Sequence, residues 1–380
     1  MTMTATVSAL DLGRALGLAK PAADLRSHHL PILGHVLLEA RDGALRLVAT
    51  NLNESIRIVV PADGVLPPLC VALDGATKTL GKVKAGRVEL KKADGKVHLD
   101  GAVRAELPTM SDKDFPKVLD TAGVEATAAY PATEFLEALR WVARASSTDE
   151  TREHLCSVLF CPDRLIATDG HRMHSASLRP LTASKREFLL RASSVKALLR
   201  TAPKNLDALL MGFVEGQIVV ALGEQAELVA RLSDAQFPLW RQVIPRENER
   251  RIRVDGTALS TAVEALKPIT KGNRTSGLTC TVETDRLVLV AEDNEGGRAE
   301  QTVPAEVDGD FWVPMNGAPP ERLRVGLNAH YLADALSGRG GRVELRLGGE
   351  LDPVLVCAAG APAAIDETPG RFAVVMPMRI

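Results

Sequence analysis

The chain has 380 residues, 46% hydrophobic and 25% charged, which is material for roughly two to four ordinary globular domains. A net charge of -2 and a pI of about 6.5 exclude a surface that is basic all over and holds nucleic acid by charge alone. The five cysteines (Cys70, Cys156, Cys161, Cys280, Cys357) are odd in number and lack CxxC spacing, so they read as reduced, mostly buried thiols rather than a disulfide framework or a zinc site. The first residues hold no basic region followed by a long apolar run, and no 18 consecutive residues are apolar, so a soluble, cytoplasmic protein is expected.

In chain order, residues 8–18 form the first amphipathic helix. Residues 36–40 and 45–49 alternate apolar and polar about Asp42-Gly43, which predicts a hairpin. A second helical stretch falls at 71–84. At 133–145 Phe135, Leu136, Leu139 and Val142 share one helical face. Further helices are predicted at 193–199, 257–266 and 329–336, with strands between.

The chain also repeats. Leu47-Val48-Ala49-Thr50-Asn51 returns as Leu165-Ile166-Ala167-Thr168-Asp169 and as Leu289-Val290-Ala291-Glu292-Asp293, at spacings of 118 and 124. A second marker starts at Gly86, Gly216 and Gly341, spaced by 130 and 125, and Phe115-Pro116 matches Phe237-Pro238. These markers divide the chain into 1–122, 123–248 and 249–380, each an α+β layer of two helices on antiparallel sheet. Tandem units whose sheet edges pair make an arc, and a head-to-tail contact that closes makes a ring. The six helical stretches carry a formal +7 against the whole-chain -2, which suits a bore lined by helices that passes phosphates without gripping them.

Leu30-Pro31-Ile32-Leu33-Gly34, Thr168-Asp169-Gly170-His171-Arg172-Met173, Phe237-Pro238 and the run Val374-Val375-Met376-Pro377-Met378-Arg379-Ile380 together resemble the bacterial DNA polymerase III beta subunit family, the sliding clamps. The resemblance covers essentially the whole chain. It implies three tandem copies of a DNA-clamp domain per protomer and a head-to-tail homodimer that forms a six-domain ring. It also implies a non-catalytic processivity factor for DNA replication, without cofactor or metal, loaded onto duplex DNA by a clamp loader.

The resemblance further implies a pocket between the second and third domains that takes short linear peptides from the polymerase and repair proteins. Its residues here would be Leu155, Thr168, Gly170, His171, Arg172, Met173, Pro238, Gln242, Val243, Thr275, Asn328, Tyr331, Leu351, Pro353 and Val374 through Ile380, that is Val374, Val375, Met376, Pro377, Met378, Arg379 and Ile380. Methionines beside Val243 and Leu155 give a deformable apolar lining, while Arg172 and Arg379 offer cations to a peptide's polar parts. The same resemblance places Arg26, Ser27, Leu73, Asp74, Asp149, Arg152, Glu153, His154, Lys196 and Arg200 toward DNA. It places a first-domain strand at Ala102 to Arg104 and a third-domain loop with Ile269 and Thr270 at the dimer contact. Gln242 stands where the family commonly has a basic residue.

Two other readings remain open on the sequence. His171 and His174 near Asp169 invite a metal-dependent enzyme, although their spacing matches no zinc motif. A specialised second clamp, kept for inhibitor resistance or repair, would share every residue singled out above.

Overall fold

The computed structural model describes residues 3–182, 186–270, 277–315 and 318–379. Along them the elements follow one order three times: strand, helix, four strands, helix, three strands. The passes run from Thr4 to Met110, Ala128 to Ser233 and Arg250 to Val375, and the third carries an added hairpin, Trp312–Met315 with Ala318–Arg322. Among the described residues the α-helices are α1 (Ala9–Ala19), α2 (Leu73–Leu80), α3 (Ala132–Val142), α4 (Ala192–Thr201), α5 (Gly256–Thr270) and α6 (Ala329–Leu336). The fold is α+β.

The first sequence marker falls on the third strand of every pass: Ala44–Thr50, Arg164–Thr168 and Arg286–Glu292. The second marker does not keep its place. Gly86 and Gly341 precede the first strand after α2 and α6, whereas Gly216 sits in the turn one strand later, between Ala208–Val214 and Gln217–Ala221. A glycine followed by alternating apolar residues marks any hairpin arm, so that pattern does not say which arm it is.

The described residues pack as two compact units, one drawn from 1–136, 180–184 and 190–232, the other from 137–179, 185–189 and 233–380. In the first, antiparallel strands lie side by side in the order Ala128–Pro131, Ala208–Val214, Gln217–Ala221, Ala226–Ser233, Glu54–Gly64, Ala44–Thr50, His35–Arg41 and Leu66–Ala72. The pairing of Glu54–Gly64 with Ala226–Ser233 thus joins two passes. Arg57 and Glu227 face each other there as an ion pair, and Thr121 bonds to both. Helix α1 starts where the Ser8 hydroxyl accepts from the Asp11 amide at 3.3 Å, and it buries Leu12, Ala15, Leu16 and Ala19 along one face. Gly13 lets it approach α2: a Cβ there would lie 2.9 Å from the Leu80 carbonyl oxygen.

In the second unit the order is Ser157–Cys161, Arg164–Thr168, Arg172–Ser177, Arg371–Val375, Val354–Ala358, Arg342–Leu347, Arg250–Asp255, Arg298–Asp308, Arg286–Glu292, Gly277–Val282 and Arg324–Asn328, all antiparallel. Glu344, fully buried in this sheet, is held by Arg253 at 2.9 Å and Arg346 at 2.7 Å. One core cluster collects Met173, Val374, Phe372, Trp240, Ile244, Leu159 and Leu355.

Three placements differ from the sequence reading. Ile269 and Thr270 end helix α5 rather than forming a loop, and Thr270 is buried with its hydroxyl on the Lys267 carbonyl. Pro268 sits in the last turn, where the amide it lacks removes only one bond. Ala102 to Arg104 is the connection between strands Lys96–Gly101 and Ala105–Met110, not a strand. Leu73 opens α2 fully buried, because a leucine at that position packs under the helix, and so it cannot face DNA. All five cysteines are free and four are buried. Among the described residues no helix is long and apolar enough to cross a membrane.

Candidate partner-binding pocket

The turn Thr168 to Arg172 is built from side-chain bonds. The Asp169 carboxylate accepts from the amides of His171 at 2.9 Å and Arg172 at 3.0 Å. The Thr168 hydroxyl donates to the Arg172 carbonyl at 2.7 Å and accepts from the Gly170 amide at 3.1 Å. Gly170 takes φ +91°, and its exposed Cα lies beside Leu155: a Cβ there would be 4.0 Å from Leu155 Cδ1 and 3.7 Å from Arg152 Nη1. The first pass makes the same turn with Thr50 and Asn51, and there Leu52 holds the left-handed position at φ 76°. The turn is therefore part of the repeated fold, and what distinguishes the second copy is the side chains it carries.

Those side chains divide into wall and rim. Met173 is buried opposite Val374, and Arg172 faces Val375, in the pairing of Arg172–Ser177 with Arg371–Val375. Beyond Val375 the chain stays on the turn: the Met376 amide donates to the His171 carbonyl at 2.9 Å, and the Met378 amide to the Gly326 carbonyl at 2.9 Å. Met376 and Arg379 are exposed, while Pro377 and Met378 are half-buried. Pro238, Gln242 and Val243 are exposed along a short 3-10 turn, Trp240–Val243, whose Trp240 roots it in the cluster that holds Met173 and Val374. Asn248 ties the following segment to the loop carrying Leu351, donating to the carbonyls of Pro353 at 2.9 Å and Arg346 at 3.0 Å. Leu351, 55% exposed, is free to be covered. Thr275 and Ile380 lie outside the described residues.

Arg172 differs from its expected role. Its guanidinium, 11% exposed, donates to Asp169 at 3.1 Å, Asp334 at 2.6 Å and the Arg144 carbonyl at 2.5 Å, and lies 4.5 Å above the Tyr331 ring. It is a strut between the turn and α6, not a free cation for a peptide. Burial pushes the Asp334 carboxyl up, but bonds from Arg172 and from Arg144 at 2.8 Å outweigh it and hold the group below the usual carboxylate value. Burial, followed by Asp169, raises the Tyr331 phenol. Asn328 caps α6, accepting from the amides of His330 at 2.9 Å and Tyr331 at 3.2 Å.

The two histidines do not converge. His171 is exposed on the turn, whereas His174 is buried, stacked on Trp141 at 4.3 Å, with Nδ1 2.9 Å from the Trp141 carbonyl. Burial lowers His174 to about 3, so it is neutral at ordinary pH and unavailable as a base to anything at the surface.

Of the residues expected to face DNA, Arg26, Lys196 and Arg200 are exposed, the last two one turn apart on α4. Ser27 accepts from the Leu30 amide at 3.2 Å, and Asp74 is paired with Lys20 and Lys78. Asp149 and Arg152 pair with each other at 2.9 Å, with Glu153 exposed and His154 half-buried beside them. Pro238 and Gln242, both expected at the pocket, line an open cleft of about 560 Å³ whose other walls the sequence reading missed: Leu159, Phe188, Leu189, Leu239, 69% exposed, and Arg241, 4.3 Å over Trp240. The signal for it was the Phe237-Pro238-Leu239-Trp240 run, too many large apolar residues for one exposed loop.

Residues 241–378 match the family model of the DNA polymerase III beta subunit, C-terminal domain. Over 92% of its length the chain is 28% identical to the beta sliding clamp of Synechococcus elongatus, covering 94% of that protein, and over its full length it is 26% identical to that of Caulobacter vibrioides, covering all of it. Among solved structures it superposes over its whole length on the Thermotoga maritima DNA polymerase III beta subunit (TM-score 0.84, 21% identity). The Bartonella birtlesii sliding clamp bound to griselimycin gives a TM-score of 0.86 at 23% identity, again with both chains fully covered. A three-times-repeated α+β chain with this turn and this final strand is thus similar over its whole length to the beta sliding clamps of DNA polymerase III.

Proposed function

We propose that the chain works as a ring of two copies, three clamp domains each with boundaries near 122 and 248, that surrounds duplex DNA in the bacterial cytoplasm. The ring is placed there by a clamp loader and holds a replicative polymerase or repair protein by a short peptide. The observation that carries the peptide site is the bond between Met376 and His171. It lays an exposed methionine beside the glycine of the turn, above a floor that contains Met173 and Val374. Unbranched methionine side chains adapt to many apolar anchors, which suits one groove shared by several partners. The Met376 and Met378 amides are already bonded within the fold and Pro377 has none, so it is the carbonyls of this run that can accept the directional bonds of a peptide backbone. Arg379, exposed at the rim, takes the role of cation that Arg172 does not fill.

Retention through topology makes its own test. Protein loaded onto nicked circular DNA is expected to stay bound through gel filtration at high salt, and to be lost when the circle is cut. Equal retention on both forms would overturn the ring.

A further inference from the structure

The turn at Gly170 belongs to a larger arrangement that the chain builds twice. Where the second pass meets the third, Arg172 and Met173 face Val375 and Val374, and the Met376 amide donates to the His171 carbonyl. Where the first pass meets the second, Glu54 and Ser55 face Ala230 and Val229, and the Arg231 amide donates to the Asn53 carbonyl at 2.9 Å. The bonds inside the two turns correspond as well. The hydroxyls of Thr50 and Thr168 donate to the carbonyls of Glu54 and Arg172 and accept from the amides of Leu52 and Gly170. Asn51 and Asp169 each accept from the amides two and three residues on. The strut has its counterpart too: buried Glu54 accepts from the Asn51 side chain at 2.9 Å and from the Ser194 hydroxyl on α4 at 3.0 Å, as Arg172 reaches Asp169 and α6. The frame of a groove is therefore present at both places.

The side chains on that frame differ. Gly170 corresponds to Leu52, which is 46% exposed and holds φ 76°, a backbone region that leucine enters only at a cost. Buried Met173 corresponds to half-buried Ser55, and Met376 to the exposed Arg231. Strand register sets Leu159 opposite Ile166 and Leu37 opposite Val48, so Arg152 and Leu155 have Leu30 and Leu33 as their counterparts. A Cβ on Gly170 would lie 3.7 Å from Arg152 Nη1 and 4.0 Å from Leu155 Cδ1. In the first pass the matching neighbours of Leu52 are thus two more leucines, Leu33 buried and Leu30 half exposed.

We infer that the first pass carries a second copy of the peptide groove and that Leu52 keeps it shut, its side chain standing at the mouth where the bare Cα of Gly170 admits an apolar residue of a partner. The inference rests on the peptide site proposed at the Gly170 turn and adds what limits each chain to one such site. Ser55 and Arg231 complete the closure, since a hydroxyl and a guanidinium in place of two methionines leave an apolar anchor little to bury against. The strain at Leu52 then has a use: glycine would make the same backbone bonds without strain, but would leave the mouth open.

Exchanging residues between the two copies tests this. With a synthetic peptide from the replicative polymerase as probe, titration calorimetry of the wild-type chain is expected to give one site per chain. Gly170→Leu is expected to melt cooperatively, because Leu52 already occupies the same turn, and to weaken that site at least roughly tenfold. Leu52→Gly combined with Ser55→Met and Arg231→Met is expected to raise the count to two sites per chain. Ser55→Met with Arg231→Met alone should leave it at one. A Gly170→Leu chain that fails to melt cooperatively, or that binds as tightly as wild type, overturns the role of Leu52. So does a folded triple variant that still binds one peptide, or a double variant that already binds two. A wild-type chain that binds no peptide overturns the peptide site itself, a separate result.

Discussion

The guanidinium of Arg172 and the carboxylate of Asp334 meet at 2.6 Å, joining the second pass of the fold to helix α6 of the third. With Tyr331 beneath the guanidinium and Arg144 sharing the carboxylate, this contact sets the spacing between the turn at Gly170 and the helix behind it.

Arg172→Ala is therefore expected to act on stability first. It leaves the half-buried Asp334 with Arg144 alone and removes the cover from Tyr331, at a cost of about 2–3 kcal/mol, read as a lower midpoint in urea unfolding. Arg172→Lys is expected to recover little, because an ammonium cannot form the fork that reaches Asp169, Asp334 and the Arg144 carbonyl together. An unchanged midpoint for Arg172→Ala would remove the strut.

Deletion of residues 376–380 is expected to weaken a polymerase-derived peptide at least roughly tenfold in fluorescence anisotropy, by loss of the Met376 rim. The sedimenting mass should stay that of wild type, since strand Arg371–Val375 is untouched. Undiminished peptide affinity would move the pocket elsewhere.

Gly170→Ala is expected to fold, since Leu52 occupies the matching position of the first pass at φ 76°. The strain of a side chain at φ +91° should cost about 1 kcal/mol, seen as a melting point lower by a few degrees. The added methyl stands at ordinary contact distance from Leu155, so peptide binding should weaken through narrowing of the entrance. Binding as tight as wild type would place the peptide away from the turn.

His174 gives the pH dependence. An ordinary histidine titrates near 6.5, and burial lowers this one to about 3, the Trp141 carbonyl opposing; Arg172 and Arg339 lower it further and Asp334 raises it. Between those values the unfolded chain binds a proton that the folded chain refuses. Stability is thus complete above about 6.5 and is lost as pH falls toward about 3, with a slope approaching about 1.4 kcal/mol per pH unit from this group. His174→Gln keeps a donor for the Trp141 carbonyl and cannot titrate, so urea midpoints followed from about pH 6 to about pH 4 should slope less than those of wild type. Parallel slopes would exclude this origin.

What the sequence made legible was local. The six helices and the Asp42-Gly43 hairpin follow from periodicity and turn chemistry, and each lies where those predict. Leu73 reads as exposed in the sequence because helix position alone does not tell a core-facing leucine from an exposed one. Arg172 reads as a free cation in the sequence because its partners lie 162 residues away at Asp334 and 28 away at Arg144, distances that no local pattern encodes. Trp240 and the cleft beside it depend on the same long-range packing, which gathers Leu159, Met173 and Val374 from three separate strands.

Strand Arg371–Val375 lies inside its sheet, with Arg172–Ser177 on one side and Val354–Ala358 on the other. During synthesis, strand Arg172–Ser177 consequently waits with one edge open to misdirected pairing until its neighbour is made. Only when residues 371–375 leave the ribosome can the sheet close, so the groove at Met376 and the sheet that bears it mature together.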